Sequence, residues 1–383
     1  MDELLFAWWR LKRLPGVGNI TLNQLRLQLS SPSELLQLTS DHLLALGMKP
    51  ELADRWERET DTDKDFDRLL TWSAHPNQGV LLAGTDGFPE SLAVLDDAPT
   101  FLWWRGELDT LEYPAIAMVG SRNPSPYGRE WAMQCAADLA KAGYCVASGL
   151  AIGIDGAAHK GALQQGRTLA VLGSGIDVVY PKRHGGMMNE IAANGLLLSE
   201  FPLGTEPRAP HFPARNRIVS GLCRAVVVVE AGLPSGSLIT AKLAAEQGRE
   251  VMAVPGMVSN PLSRGCHQLI RDGAVLVESA DQVLQEIEGF QLVPSPNRKM
   301  GQSNTSAWQH SKSTHRTDAV TTASKPTAEK PPNPVEQIDF NTTSVDVIAI
   351  RSGMAITELL GTLLELEMDG WISKEPGGYR RLR

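Results

Sequence analysis

The chain has 383 residues, 42% of them hydrophobic and 21% charged, with a formal net charge of −8. That profile suits a globular protein of two or three domains and excludes disordered or collagen-like chains. No apolar run approaches the roughly 20 residues needed to span a bilayer, Asp2 and Glu3 stand where a signal peptide would be basic, and Cys135, Cys145, Cys223 and Cys266 form no CxxC pair, which argues against a zinc site or a disulfide scaffold and predicts a reducing, cytoplasmic setting.

Residues 1–75 read as helical. Leu4, Leu5, Trp8 and Leu11 form an apolar stripe, Leu14-Pro15-Gly16-Val17-Gly18 interrupts it, and Leu22, Leu25 and Leu29 begin a second stripe. Helix, PGVG turn, helix fits two readings. One is a SAM-like or helix-hairpin-helix domain whose glycine amides approach a phosphate. The other is a plain helical turn with glycine as cap and bend. Residues 57–68, dominated by Glu57, Glu59, Asp61, Asp63, Asp65 and Asp67, read as a solvated face or loop. Short strands follow between 79 and 106, where alternation puts Trp103 and Trp104 on opposite faces.

From 113 to 289 strand and helix signals alternate. Apolar runs fall at 115–119, 145–147, 168–172, 195–198, 225–229, 251–254 and 274–277, with helical stretches between them. The clearest helix spans 126–142: Trp131, Cys135 and Leu139 recur every fourth residue, Ser125 is a candidate N-cap, and Gly143 ends it. Unbroken apolar strands separated by helices predict an α/β, Rossmann-like, doubly wound, mostly parallel sheet, here over residues 76–289. Residues 290–335, rich in Ser, Thr, Pro and Lys, predict a flexible linker. Residues 336–383 predict two helices and a hairpin, a winged helix.

In open parallel sheets ligands bind beyond the carboxyl ends of the strands, and here those ends carry the polar, glycine-rich segments. Helix N-termini together with Arg122, Arg215, Arg217 and Lys242 would make an anion pocket. Asp155, Asp177, Glu200 and Glu230 also fall at strand ends, where hydrogen bonding to the loops is the expected role. The GxGxxG fingerprint, the P-loop and the GxSxG elbow are all missing, so no NAD, ATP or other cofactor, no metal and no nucleophile is implied. Charge supports a local pocket rather than diffuse binding. Residues 1–75 are net −3 and 76–112 net −6, whereas residues 208–271 hold eight bases and three acids.

The segments GSRNPSPYG (120–128), SGLAIGID (148–155), GSGIDVVYP (173–181), FPARNRIVSGL (212–222), SGSLITAKLAAEQGREVMAVPG (235–256) and RGCHQLIRDGA (264–274) resemble the DNA-processing protein A (DprA/Smf) family, in order and register over roughly residues 80–285. The resemblance implies a homodimeric, non-enzymatic cytoplasmic protein that binds and protects single-stranded DNA. It would help load RecA recombinase in natural transformation and recombination. The matched motifs imply DNA contacts at Ser121, Arg122, Gly149, Phe212, Arg215, Asn216 and Arg217, with Ser237 and Lys242 on the following helix. Arginines would meet phosphates and Phe212 would stack on a base. Ile152 stands where many members carry a base. The alternative is a Rossmann-type nucleotide hydrolase resembling the lysine-decarboxylase-like phosphoribohydrolases. Their PGGxGT loop is replaced here by Pro234-Ser235-Gly236-Ser237-Leu238-Ile239-Thr240.

Overall fold

The computed structural model describes residues 2–58, 64–291 and 334–382. Residues 292–333 of the expected linker, and residues 59–63 of the acidic run, lie outside the described residues, while residues 290–291 end a helix and Val335 is buried, which narrows the linker expected over 290–335. The chain divides into two compact units, one holding residues up to 284 with 339–341, the other the described residues of 285–338 and 342–383.

The first unit opens with α1 (Asp2–Arg13), α2 (Asn19–Gln28), α3 (Ser40–Ala45), α4 (Pro50–Arg58) and α5 (Lys64–Ser73). Strands β1 (Gln78–Leu82) and β2 (Phe101–Gly106) follow, with the short α6 (Glu90–Ala93) between them. The alternating part then runs β3 (Ala115–Val119), α7 (Pro126–Lys141), β4 (Cys145–Ser148), α8 (Ile154–Leu163), β5 (Thr168–Leu172), α9 (Gly185–Asn194) and β6 (Leu196–Ser199). It continues through α10 (His211–Leu222), β7 (Ala225–Val228), α11 (Gly236–Glu246), β8 (Glu250–Ala253), α12 (Arg264–Arg271), β9 (Val275–Leu276) and α13 (Ala280–Gln291). The expected start of α7 is borne out: the Ser125 hydroxyl accepts from the Gly128 amide at 3.0 Å.

The strands form one nine-stranded sheet in the order β1-β2-β6-β5-β4-β3-β7-β8-β9. Strands β3 to β9 are mutually parallel, and β2 joins β6 antiparallel, pairing Trp103 with Ser199 and Gly106 with Leu196. From β3 the chain steps outward to β6, then returns to β7 on the other side of β3. The switch point therefore lies between β3 and β7, where the loops leaving the two strands diverge and open a crevice.

The pleat sorts side chains between two cores. On β5, Ala170 and Leu172 join one cluster and Leu169 and Val171 the other. Trp103 is buried in the first cluster and Trp104 packs against the second, as the alternation predicts. The first cluster also holds Trp8, Trp9, Leu11, Leu22, Leu25 and Phe66. The Trp9 ring lies 6.2 Å from that of Trp103 and 5.9 Å from that of Phe101. The N-terminal helices thus share one core with the sheet. Their hairpin is tied down as well: Asn19, the first residue of α2, donates to Glu200 at 3.0 Å, and Asn23 donates to the Leu95 carbonyl at 2.9 Å. These two side chains anchor α2 to the sheet and its flanking loops.

The second unit contains α14 (Val345–Ser352), α15 (Ile356–Met368), β10 (Ile372–Glu375) and β11 (Gly378–Arg381) around Ile348, Leu359, Leu363, Leu366, Ile372 and Tyr379. Gly353 turns the chain between the helices at φ 70°, a left-handed conformation that a side chain would resist. The antiparallel β10–β11 pair forms the wing. Among the described residues, no helix is long and apolar enough to cross a membrane.

Candidate nucleic-acid interface

A cavity of about 410 Å³ opens at the switch point. The β3 loop contributes Gly120, Ser121, Arg122 and Asn123, and the start of α8 contributes Ala151 and Asp155. Phe212, Arg215 and Asn216 come from the start of α10, and Ser235, Gly236, Ser237 and Thr240 from that of α11. A smaller recess of about 70 Å³ continues past Gly149, Leu150 and Ile152 to Tyr180 and Pro181. Arg122, Phe212 and Arg215 line both spaces. Three helices therefore begin at one crevice, and their dipoles favour an anion there, although the leading amides of α10 are satisfied by the Arg208 and Ala209 carbonyls and Asp155 already stands at the start of α8.

Each expected contact residue has a definite place. Arg122 is exposed at the mouth, its guanidinium 5.3 Å from the centre of the Phe212 ring. Tyr180 approaches the same ring at 5.7 Å. Arg215 forms the floor: it is 5% exposed and donates to the carbonyls of Gly149 and Val171, the latter at 2.6 Å. Burial lowers its pKa, and Asp155 pulls it back up. A Cβ at Gly149 would run into this guanidinium, so the glycine is needed for the approach. Asn216 accepts from Arg215 Nε at 3.1 Å. Ser237 is held by Ser235, whose hydroxyl accepts from the Ser237 amide at 3.2 Å.

Two residues of the expected set are not brought to the cavity. Arg217 lies on the far side of α10, paired with Glu200 at 2.6 Å and Asp97 at 2.8 Å, with only 9% of its side chain exposed. Lys242 is on the surface of α11, 3.7 Å from Glu246 one turn on. The reason is helical phase. Phe212, Arg215 and Asn216 are spaced i, i+3, i+4 and share a face, whereas Arg217 is turned away from them. Lys242, five residues after Ser237, is turned away in the same manner. That spacing was the available signal. Sequence reasoning missed Tyr180 as a lining residue. It also missed the exposed bases Lys182 and Arg183 that follow Pro181; the signal was their position just after a strand-end loop.

The strand-end carboxylates hold the loops, as expected. Glu230 is 4% exposed and accepts from the Ser125 amide at 2.8 Å and its hydroxyl at 2.7 Å. Its carboxyl group would overlap a Cβ at Gly128. Asp155 accepts from the amides of Gly149 at 3.1 Å and Ala151 at 3.3 Å. Burial raises the pKa of both carboxyls, and these hydrogen bonds oppose it. Asp177 accepts from the Gly204 amide at 2.7 Å and pairs with Arg68. His159 is fully buried against Thr168 at 2.7 Å, and burial pushes its pKa down to about 3. All four cysteines are buried and free. Among the described residues, no cluster of three His, Cys, Asp or Glu could hold a metal ion.

A family model described as DNA recombination-mediator protein A matches residues 79–288, and one described as DprA winged helix domain matches residues 319–378. Protein Smf of Escherichia coli is 41% identical over 323 residues, which is 84% of this chain and 82% of that protein. The X-ray structure of DNA processing protein A from Streptococcus pneumoniae superposes with a TM-score of 0.64 at 38% identity, covering 73% of this chain and 96% of that one. The structure of DNA processing protein A from Helicobacter pylori, described for its single-stranded DNA binding mode, gives a TM-score of 0.52 at 30% identity. It covers 57% of this chain and 99% of that one.

Proposed function

Because the chain belongs to the DNA recombination-mediator protein A family, also called DprA/Smf, we propose that it binds single-stranded DNA in the switch-point crevice. It protects the strand there and helps load RecA recombinase onto it, in DNA uptake and recombination. The observation that carries this reading is the convergence of three helix N-termini with Arg122, Phe212 and Arg215 on one cavity. That combination answers a phosphate and a base together.

Arg122 meets a phosphate at the mouth, with the dipole of α11 adding to its attraction. Arg215 holds positive potential at the floor without leaving its carbonyls. A base stacking on Phe212 takes the place of the Arg122 guanidinium, which swings to a neighbouring phosphate, or extends the stack beside Tyr180. Stacking of this kind tolerates any base. Ser121, Asn216 and Ser237 supply hydrogen bonds, and Gly149 lets the backbone come close. Arg217 acts by holding α10 in place, and Lys242 at most touches a strand running past the cavity.

A homodimer in the cytoplasm and a role without catalysis complete the reading. The engagement of Asp155, Glu200 and Glu230 in structural hydrogen bonds supports binding over hydrolysis. The test is a mobility-shift titration of single- and double-stranded DNA at two salt concentrations, with RecA pull-down in parallel. Salt-sensitive preference for the single strand and co-retention of RecA are expected. Equal binding of duplex, or release of free base from nucleoside monophosphates, would overturn the reading.

A further inference from the structure

The second unit places α15 where a DNA-reading winged helix puts its recognition helix, second in the helix pair and directly before the wing. Its inward face, Leu359, Leu363 and Leu366, fills the core. A second apolar row remains outside: Ile356, Leu360, Leu364 and Met368 follow at every fourth residue and are 48%, 46%, 57% and 74% exposed. Spacing i, i+4, i+8 sets these side chains along one ridge, the pattern by which helices grip an apolar ridge of a partner. Glu365 is exposed beside it, three residues before Met368, Glu358 is exposed on the flank beyond it, and α15 contains no basic residue.

We propose that this ridge is a protein-docking face for a partner helix with an aliphatic row flanked by Lys or Arg. The acids beside the ridge repel a phosphate backbone or an anionic lipid surface. They also disfavour a second copy of α15, since a two-fold contact sets the same helix face against itself and α15 itself carries no base to answer the carboxylates. A partner with basic flanks meets the ridge and the acids together, so the aliphatic contacts hold it and the charges choose it. Arg380 does not neutralise this edge, because it pairs with Glu375 on the wing at 3.0 Å.

The test uses the full chain and two labelled synthetic helices of about 18 residues with leucines at i, i+4 and i+8. One carries lysine flanks and the other glutamate flanks, and binding is read by fluorescence anisotropy. The lysine-flanked helix is expected to bind at least about tenfold tighter. Leu360→Ser with Leu364→Ser should remove that binding, and Glu358→Lys with Glu365→Lys should reverse the preference. Oligothymidine affinity and far-ultraviolet circular dichroism should stay unchanged in both variants. Four results would overturn the proposal: neither helix binds; the lysine-flanked helix binds the serine variant equally well, which is mere attraction to an acidic chain; the serine pair lowers the sedimentation coefficient, which assigns the ridge to a second copy; or the serine pair weakens duplex DNA binding.

Discussion

On one side of α10, Phe212, Arg215 and Asn216 line the strand-end cavity, while on the other Arg217 is clamped between Glu200 and Asp97. Arg215 and Arg217 are the same residue type, two positions apart and both buried, at 5% and 7% exposure. Their partners differ. Arg215 donates to neutral carbonyls, and the nearby Asp155 carboxylate offsets part of its charge without taking up those donors, so the remainder faces the crevice. The charge of Arg217 is spent on two carboxylates. Burial of a base is therefore no guide to its role; the charge of its partners is.

The largest expected break in this comparison is Arg217→Ala. It breaks the ion pair of the buried Glu200, which keeps the Asn19 hydrogen bond and the attraction of Lys12, and should destabilise the fold by about 3 kcal/mol in urea titration. The fraction that stays folded should bind oligothymidine normally. Arg122→Glu should do the reverse: affinity falls about tenfold to a hundredfold at low salt, and the salt slope shrinks by roughly the contribution of one phosphate. Urea stability should stay within about 0.5 kcal/mol. Loss of stability with unchanged affinity would erase the distinction between the two sites.

Phe212→Ala should lower affinity by about 1–3 kcal/mol, the worth of a stacked base, and leave the salt slope intact. Acid offers a further separation. His159 has a folded pKa of about 3 against about 6.5 unfolded, so the unfolded chain takes up a proton that the folded interior refuses. The stability this group contributes is complete above about pH 6.5 and is lost as pH falls toward 3, about 2 kcal/mol of it by pH 5. His159→Gln should flatten the slope of urea stability between pH 7 and pH 5. The smallest effect belongs to Lys242→Ala, within about 0.5 kcal/mol for stability, with nearly unchanged DNA affinity.

Much of this arrangement is legible in the sequence. Apolar runs such as Ala115–Val119 and Thr168–Leu172 become strands with those limits, because parallel strands buried on both faces have no polar positions to blur the edges. Ser125 and Pro126 mark the start of α7 for local reasons of capping. Two features depend on contacts distant in sequence and could not be read. One is the pairing of β2 with β6, which links Trp103 to Ser199. The other is the packing of Trp9 beside Trp103, which joins the N-terminal helices to the sheet. The site was legible as a set of loops but not residue by residue, since Arg215 and Arg217 separate only when α10 is given its helical phase and Glu200 its place beside it.

Ultraviolet cross-linking of oligothymidine to the full chain, followed by peptide mapping, tests the central claim most directly. Adducts should fall on the peptides carrying Phe212 and Tyr180 and should fade with rising salt. Adducts confined to the winged helix or to the N-terminal helices, with none at Phe212, would contradict a DNA site at the switch point of the sheet.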